Sequence, residues 1–320
     1  MGAVRFSLRD YYDSTTEIVG IKSGILLNRF QVKQILIDKF EEDYLRTDNL
    51  ELFVRVRVGE LEEMLLALRQ KIGNLPQILP TKKDYKYLDD YMYRTGDIET
   101  ISASNSIGLY FIKQNEDINA KDLANLIRES EGFEQGLCEA IANISLERYD
   151  LSCIVPESKK WNDSTELSKL FDCEISSNSD FLEQRFLDYL AVNGNEIEQI
   201  HWRNFERFCA EYFKRQGYKV ILGPGTNDGG IDIRVFNENN SAPDIIIQCK
   251  RYKTENKVQI ETVKSFYTDV MFENAKSGLI ATTGYIASGG KKVCETRGYN
   301  IKFAENENVK KWAREMWTYK

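Results

Sequence analysis

The chain has 320 residues, of which 42% are hydrophobic and 29% are charged, and its formal net charge is −7. This composition is typical of globular proteins, and the length predicts two domains. No apolar run is long enough to span a bilayer, and residues 1–10 lack the apolar core of a signal peptide. We therefore expect a cytoplasmic enzyme that has no contact with a membrane.

The histidine and cysteine content narrows the possible chemistry. His201 is the only histidine, which excludes a catalytic histidine pair or a histidine metal cage. Its place beside Trp202 at a helix start is more typical of a structural residue. The six cysteines are scattered and form no Cys-x-x-Cys motif, so neither a zinc site nor a disulfide framework is predicted. We expect Cys209 and Cys249 to be reduced core residues.

Residues 1–195 are predicted to form a mainly α-helical domain. Residues 53–58 alternate like a strand and run into helical spacing, which leaves open a strand followed by a helix or one long helix. Residues 107–112 are predicted to form a strand. Apolar spacing predicts helices over 28–44, 120–129, 134–144, 168–171 and 181–190.

Residues 196–320 are predicted to form a second domain, in which helices and strands alternate. Asn204 is predicted to cap a helix that ends near Gln216 and has an apolar stripe along one side. Further helices are predicted over 258–274, 286–297 and 307–317, and strands over 218–222, 231–236, 245–250, 277–283 and 300–304. This order predicts an α/β domain in which a mixed β-sheet is flanked by helices.

Two of these strands are predicted to form a hairpin around the turn 237–244. If Ile233 faces Ile247, then Asp232 faces Gln248 and Lys250 is its diagonal neighbour, about 7–8 Å away. A slip by one residue would mix the two faces, so burial selects this register. The apolar face is then Ile231, Ile233, Val235, Ile245, Ile247 and Cys249, and the polar face is Asp232, Arg234, Gln248 and Lys250.

The polar end of this hairpin suits phosphodiester hydrolysis. A hard divalent cation takes oxygen ligands, and the Asp232 carboxylate, the Gln248 amide oxygen and the Cys249 carbonyl can supply them. Such a cation lowers the pKa of bound water, and a neighbouring lysine such as Lys250 can position or deprotonate that water. Each residue alone is more often a turn or solvent-facing residue, but their combination predicts a metal-dependent nuclease.

Five short motifs lie between residues 200 and 318: Trp202-x-x-Phe205-Glu206, Gly217-Tyr218-x-Val220, Asp228-Gly229-Gly230-Ile231-Asp232, Gln248-Cys249-Lys250-Arg251 and Ile280-Ala281-Thr282-Thr283-Gly284. Together they resemble the Mrr-type restriction endonuclease catalytic domain of the PD-(D/E)xK nuclease superfamily. The resemblance implies a restriction-endonuclease-like sheet and cleavage of DNA with Mg²⁺, for which Mn²⁺ can substitute.

The same resemblance implies roles for particular residues. Asp232, Gln248 and Lys250 would form the catalytic set, and Glu206 would be an accessory acid near the metal. We interpret Asp228 as a turn residue. The metal ligands would then be Asp232, Gln248, Cys249 and Glu206.

The resemblance also implies double-stranded DNA as the substrate and a role in restriction or defence against foreign DNA. A homodimer or higher oligomer would cut both strands. Residues 1–195 would sense, recruit or oligomerise, and would take up a defence partner or an activating ligand. Two alternatives remain: an RNase or structure-specific nuclease on the same fold, and a catalytically silent nucleic-acid-binding subunit.

Charge is divided unevenly along the chain. Residues 201–320 contain 20 Lys and Arg against 14 Asp and Glu, whereas residues 1–200 contain 23 against 36. The basic part is therefore the part that carries the predicted nuclease site. We expect Arg251, Lys253 and Lys257, which follow that site, to bind nucleic-acid phosphates.

Overall fold

The computed structural model describes residues 3–75, 80–152, 164–175, 181–225, 230–237, 241–253 and 255–318. In these ranges no helix combines the length and apolar character that crossing a membrane requires. The chain divides into an N-terminal unit, residues 1–70 and 75–164, and a C-terminal unit, residues 71–74 and 165–320. The predicted boundary between residues 195 and 196 therefore falls inside the C-terminal unit.

The N-terminal unit is mainly helical, as predicted. Strand β1 (Ala3–Ser7) pairs antiparallel with β3 (Phe53–Arg57), and β2 covers Ile25–Leu26. Its helices are α1 (Leu8–Ser23), α2 (Arg29–Lys39), α3 (Asp43–Arg46), α4 (Val58–Lys71), α5 (Lys82–Thr95), α6 (Ile98–Gln114), α7 (Ala120–Glu131) and α8 (Gln135–Leu151).

Two predictions for the N-terminal unit can be decided. Since β3 leads directly into α4, the strand followed by a helix is the correct alternative for residues 53–58. The strand predicted over 107–112 is wrong, because these residues lie within α6. Ile107 and Phe111, one helical turn apart, pack against the buried core that α7 and α8 share, so helix packing overrides local strand propensity.

A buried lysine closes the C-terminal end of α8. The Lys22 ammonium donates to the main-chain carbonyls of Tyr149 at 3.3 Å, Asp150 at 2.6 Å and Ser152 at 2.5 Å. Arg69 also donates to the Asp150 carbonyl, at 2.8 Å. The last carbonyls of a helix have no partner within the helix, and cations are favourable at this end of its dipole. Lys22 and Arg69 supply both the donors and the charge.

The C-terminal unit contains a five-stranded mixed sheet in the order β11-β9-β7-β6-β5. The hairpin strands β5, β6 and β7 are antiparallel, whereas β7, β9 and β11 are parallel and are joined through helices. The elements are β4 (Thr165–Glu166), α9 (Lys169–Asp172), α10 (Gln184–Val192), α11 (Trp202–Arg215), β5 (Lys219–Leu222), β6 (Ile233–Phe236), β7 (Ile245–Lys250), β8 (Lys257–Val258), α12 (Ile260–Phe272), β9 (Ser277–Thr282), β10 (Tyr285–Ile286), α13 (Ser288–Arg297), β11 (Ile301–Ala304) and α14 (Asn306–Glu315).

Helices cover both faces of this sheet, which confirms the predicted α/β class. Helices α12 and α13 pack on one face, where Ile246, Phe266 and Ile280 belong to the buried core. On the other side α11 contacts β5, β6 and β7, and α14 contacts β9 and β11. Both faces of β7 are therefore buried, as is usual for a strand with a parallel neighbour inside a sheet.

The start of α11 differs from the prediction that Asn204 caps it. The helix begins at Trp202, and the cap is His201, whose Nδ1 accepts the Arg203 N–H at 3.3 Å. Asn204 is buried instead, and its side chain bonds to the main chain of Leu170, Cys173 and Ile175. These bonds attach residues 170–175 to α11 within the C-terminal unit.

Candidate active site

The predicted register of the hairpin is confirmed. Ile233 faces Ile247 and Val235 faces Ile245 across β6 and β7. Ile231 is an exception, because it packs in the core cluster of Ile246 although simple alternation would place it on the opposite face. The reason is that β6 begins only at Ile233, so residues 231 and 232 need not follow the pleat of the strand.

Asp232 lies just before β6 and is buried. Its N–H donates to the Ile247 carbonyl at 3.0 Å, and its carbonyl accepts the Gly223 N–H at 2.7 Å. The carboxylate turns towards β7, where Oδ2 accepts the Cys249 N–H at 2.6 Å. Asp232 is therefore held by the main chain beside the Gln248-Cys249-Lys250 segment.

Gln248 carries an unusual buried oxygen. Its Nε2 donates to the Gly230 carbonyl at 3.0 Å, whereas its Oε1 is buried and has no hydrogen-bond partner among the residues that the structure describes. Leaving a buried acceptor unpaired costs about 1–3 kcal/mol. An amide oxygen is a suitable ligand for a hard divalent cation, so the residues here fit such an ion.

Lys250 ends β7 and is half-buried. Its carbonyl accepts the Thr282 hydroxyl at 2.7 Å and the Thr283 N–H at 3.3 Å. Thr283 also exchanges hydrogen bonds with the main chain of Tyr252, at 2.6 and 2.8 Å. The paired threonines at the end of β9 thus fix the main chain that presents Lys250.

Glu206 lies on α11 and is buried. Its Oε2 accepts a hydrogen bond from Arg203 Nη1 at 2.6 Å. Burial raises the pKa of the Cys249 thiol, and the neighbouring Cys209 thiol and the charges of Asp232 and Glu206 raise it further. Both acids therefore act on the same neutral thiol, although they come from different elements.

Cys209 and Cys249 are buried, which confirms that they are core residues. Because the Cys249 thiol is held neutral, only the main-chain carbonyl of this residue suits a hard metal. Across the described part of the chain, no group of three or more His, Cys, Asp and Glu side chains is arranged to hold a metal ion. A cation at this place would need the Gln248 amide oxygen and main-chain oxygens beside the acids.

Two charged residues near the site were missed by the sequence analysis. Arg203 is a buried cation on α11, and its i, i+3 spacing from Glu206 was a signal that could have found it. Asp269 on α12 is the other: a Cβ atom at Gly230 would lie 3.2 Å from Gln248 Nε2 and 3.8 Å from Asp269 Oδ2. Burial and the charge of Glu273 raise the pKa of Asp269.

The predicted phosphate-binding residues are exposed. Arg251, Lys253 and Lys257 follow the polar end of β7, and the Arg251 guanidinium donates to the Glu198 carbonyl at 3.0 Å. Asp228, interpreted as a turn residue, lies outside the residues that the structure describes.

Comparison with known proteins identifies the C-terminal part of the chain. Residues 197–313 match the family model Mrr_cat, described as a restriction endonuclease, which confirms the resemblance for this part. The uncharacterized protein y4cE of Sinorhizobium fredii is 24% identical over 122 residues, which are 38% of this chain and 31% of that protein. This chain therefore spans about a third of that relative.

A solved structure entitled "MspJI Restriction Endonuclease in Complex with 27-mer Oligonucleotide" is also similar. It has a TM-score of 0.32 and 13% sequence identity, and the similarity covers 58% of this chain and 43% of that chain.

Proposed function

We propose that the restriction endonuclease domain at residues 197–313 makes this chain a divalent-metal-dependent endonuclease that hydrolyses DNA phosphodiester bonds. The observation that carries the proposal is the buried Gln248 Oε1, which has no hydrogen-bond partner in the described part of the chain and lies on the strand to which Asp232 is bonded. It lies within the family match, in the motif that the resemblance assigns to catalysis.

Asp232, Gln248 and the Cys249 carbonyl would hold the cation, with Glu206 as an accessory acid. When bound, Mg²⁺ or Mn²⁺ supplies a more acidic water molecule and neutralises charge on the phosphate. The Cys249 N–H fixes the rotamer of Asp232, and the Gly230 carbonyl turns the Gln248 amide so that its oxygen is the free end. These main-chain bonds orient the oxygens before any ligand arrives.

Lys250 would act on the substrate. Within the described residues no carboxylate forms an ion pair with its ammonium group, and Thr282 and Thr283 hold its main chain. A lysine in this position can orient the attacking water and hold a phosphate oxygen as negative charge develops. Exposed Arg251, Lys253 and Lys257 would bind neighbouring phosphates of double-stranded DNA.

We further propose a role in restriction or defence against foreign DNA in the cytoplasm. Cutting both strands would require two copies of the chain. The N-terminal unit would sense, recruit or oligomerise, and could receive an activating ligand or partner. Its excess of acidic residues makes a large non-specific grip on DNA by this unit unfavourable.

The test is nicking and linearisation of supercoiled plasmid, methylated and unmethylated, in Mg²⁺, Mn²⁺ or EDTA. Asp232→Ala and Lys250→Ala should each lower the cleavage rate by more than about 100-fold. Glu261→Ala and Lys302→Ala, which remove exposed charges from α12 and β11, are the matched controls and should cut like wild type. Cleavage in EDTA, or undiminished cleavage by Lys250→Ala, would reject the proposed chemistry.

A parallel panel of single-stranded, double-stranded and branched DNA and RNA would define the substrate. Preferential cleavage of RNA or of junctions would replace the DNA assignment while leaving the site in place. A wild type that binds DNA but does not cut any substrate in either metal would favour a silent binding subunit.

A further inference from the structure

We infer that Arg203 is a positioning residue of the proposed nuclease site: its guanidinium ties Glu206 to the loop on which Asp232 depends. The inference rests on the proposed function for its catalytic meaning. The contacts themselves join protein residues only, so they can be tested without metal, DNA or a cleavage assay.

The first contact joins two charges on the same helix. Arg203 Nη1 donates to Glu206 Oε2 at 2.6 Å, and both side chains are buried. A buried carboxylate needs a compensating charge or hydrogen bonds, because burial alone disfavours its ionised form. Arg203 supplies both the opposite charge and a hydrogen bond to this carboxylate.

The second contact leaves the helix. Arg203 Nη2 donates to the Gly223 carbonyl at 2.6 Å, while the Gly223 N–H donates to the Asp232 carbonyl at 2.7 Å. One residue, Gly223, thus links the guanidinium to the main chain of Asp232. The planar fork of arginine allows Glu206 and Gly223 to be bound together, which the single ammonium of a lysine does less well.

Close packing keeps this link in place. A Cβ atom at Gly223 would lie 2.9 Å from the Ile231 carbonyl oxygen and 3.1 Å from that of Asp232, so a larger residue would push the two segments apart. A Cβ atom at Gly225 would lie 3.0 Å from Arg203 Nη1. The loop main chain therefore lies directly against both the guanidinium and the residue before β6.

Asp232 is bonded both to the loop that Arg203 contacts and to strand β7. It is bonded to Gly223 on one side and to Cys249 of β7 on the other. Glu206 and Asp232 both influence the Cys249 thiol, which agrees with two acids held at one place. Arg203 therefore connects Glu206 on α11, through Gly223, to Asp232.

The test compares Arg203→Gln and Arg203→Lys with Arg207→Gln in the full chain. Arg207 is the control, because it lies on the same helix and shares the partner Glu174 with Arg203, whereas its second hydrogen bond goes to the Phe181 carbonyl and that of Arg203 to the Gly223 carbonyl. Amide hydrogen exchange of the metal-free protein, without DNA, is followed at Gly223, Asp232 and Cys249. Arg203→Gln should speed exchange at these amides at least about tenfold, and Arg203→Lys less.

Activity is measured on the same variants. Arg203→Gln should raise the Mn²⁺ concentration for half-maximal cleavage about 10- to 100-fold and leave KM for DNA within about twofold. If the glutamine variant does not fold, Arg203→Lys decides the exchange test. Wild-type exchange at Gly223 and Asp232 in Arg203→Gln, or in Arg203→Lys where the glutamine variant does not fold, would overturn the inference, and so would equal acceleration in Arg207→Gln. A wild type without nuclease activity would refute the proposed function but leave the exchange result decisive for Arg203.

Discussion

The carboxylate of Asp232, which directly precedes β6, accepts the main-chain N–H of Cys249 within β7 at 2.6 Å. Cys249 separates Gln248 from Lys250, so this single bond fixes the acid relative to both residues. The hairpin main chain therefore holds Asp232 beside both residues.

The effect of a side chain at Gly230 can be separated from the effect of its backbone conformation. Gly230 and Gly217 share a φ of +88°, but a Cβ atom meets nothing within 4 Å at Gly217 and lies 3.2 Å from Gln248 Nε2 at Gly230. Both alanine variants should lose about 1–2 kcal/mol of unfolding free energy, because left-handed backbone is unfavourable for residues with a Cβ. Only Gly230→Ala should also lose cleavage activity.

Urea unfolding and plasmid cleavage of the two variants check this prediction. Equal loss of activity in both would mean that backbone strain alone disturbs the site. Full activity of Gly230→Ala would show that the orientation of Gln248 does not depend on this close approach.

Replacing Gln248 should weaken metal binding more than it weakens the fold. Gln248→Leu removes the unpartnered Oε1, at the cost of the Nε2 bond to the Gly230 carbonyl. Removing an unsatisfied buried acceptor offsets part of that loss. We expect the Tm of the metal-free protein to stay close to that of wild type. The Mn²⁺ concentration needed for the same rise in Tm should be about 10- to 100-fold higher, which is the size of other losses at metal sites.

Thermal unfolding over a Mn²⁺ titration measures this response, because a ligand that binds only the folded state raises the Tm. Gln216→Leu, at the exposed end of α11, is the control and should respond like wild type. An unchanged Mn²⁺ response in Gln248→Leu would remove this residue from the proposed ligand set.

The ion pair between Arg234 and Glu273 should make stability depend on pH. Arg234 donates to both Glu273 oxygens, at 2.8 and 3.0 Å, and these hydrogen bonds lower the pKa of Glu273 from its ordinary value of 4.5. A lowered folded-state pKa stabilises the protein above the unfolded-state pKa, and this stability is lost as the pH falls through the folded-state value. Glu273→Gln should therefore cost about 1 kcal/mol at pH 7.

Urea unfolding across the acid range tests the sign of this effect. The difference between wild type and Glu273→Gln should shrink as the pH falls below 4.5. Glu261→Gln, on the exposed side of the same helix, should show no such trend. A difference that grows towards low pH would contradict the assignment.

Lys22 of α1, which binds the C-terminal carbonyls of α8, should stabilise the N-terminal unit. Lys22→Met keeps the apolar stem but removes the donor to three carbonyls, which should cost about 1–3 kcal/mol of unfolding free energy. Lys121→Met, on the exposed face of α7, is the control and should change stability by less than about 0.5 kcal/mol. Chemical denaturation followed by circular dichroism compares the two, and equal costs would mean that Lys22 does not cap the helix.

The hairpin could be predicted from sequence because its apolar residues allow one register only. A slip of one residue would mix Ile233 and Val235 on one strand, and Ile245 and Ile247 on the other, with the polar residues of the opposite face. The expectation that Asp232 lies beside the segment 248–250 followed from the same argument, and its carboxylate accepts the Cys249 N–H. Ile231 was misplaced because alternation holds only inside a strand, and no local pattern shows that β6 begins two residues later.

Long-range polar contacts could not be predicted in the same way. Asn204 is a common capping residue by type, yet its side chain bonds to residues about thirty positions earlier, and His201 takes the capping role. The positioning role proposed for Arg203 depends on its bond to Gly223, which lies twenty residues later and becomes its neighbour only when the loop folds back onto α11. Residues 107–112 show the same limit, because strand-forming side chains also pack on a helix face.

The short segment 71–74 determines how the nuclease unit can be isolated. The Asn193 amide donates to the Lys71 carbonyl at 2.7 Å, and the Trp317 indole N–H donates to the Gly73 carbonyl at 3.2 Å. A shortened protein that begins at residue 165 would keep every proposed catalytic residue. It would leave both donors without these acceptors. During synthesis, the ribosome would make this four-residue piece long before the unit that needs it. An autonomous version of the nuclease unit should therefore fold better when residues 71–74 are supplied, by fusion or as a peptide.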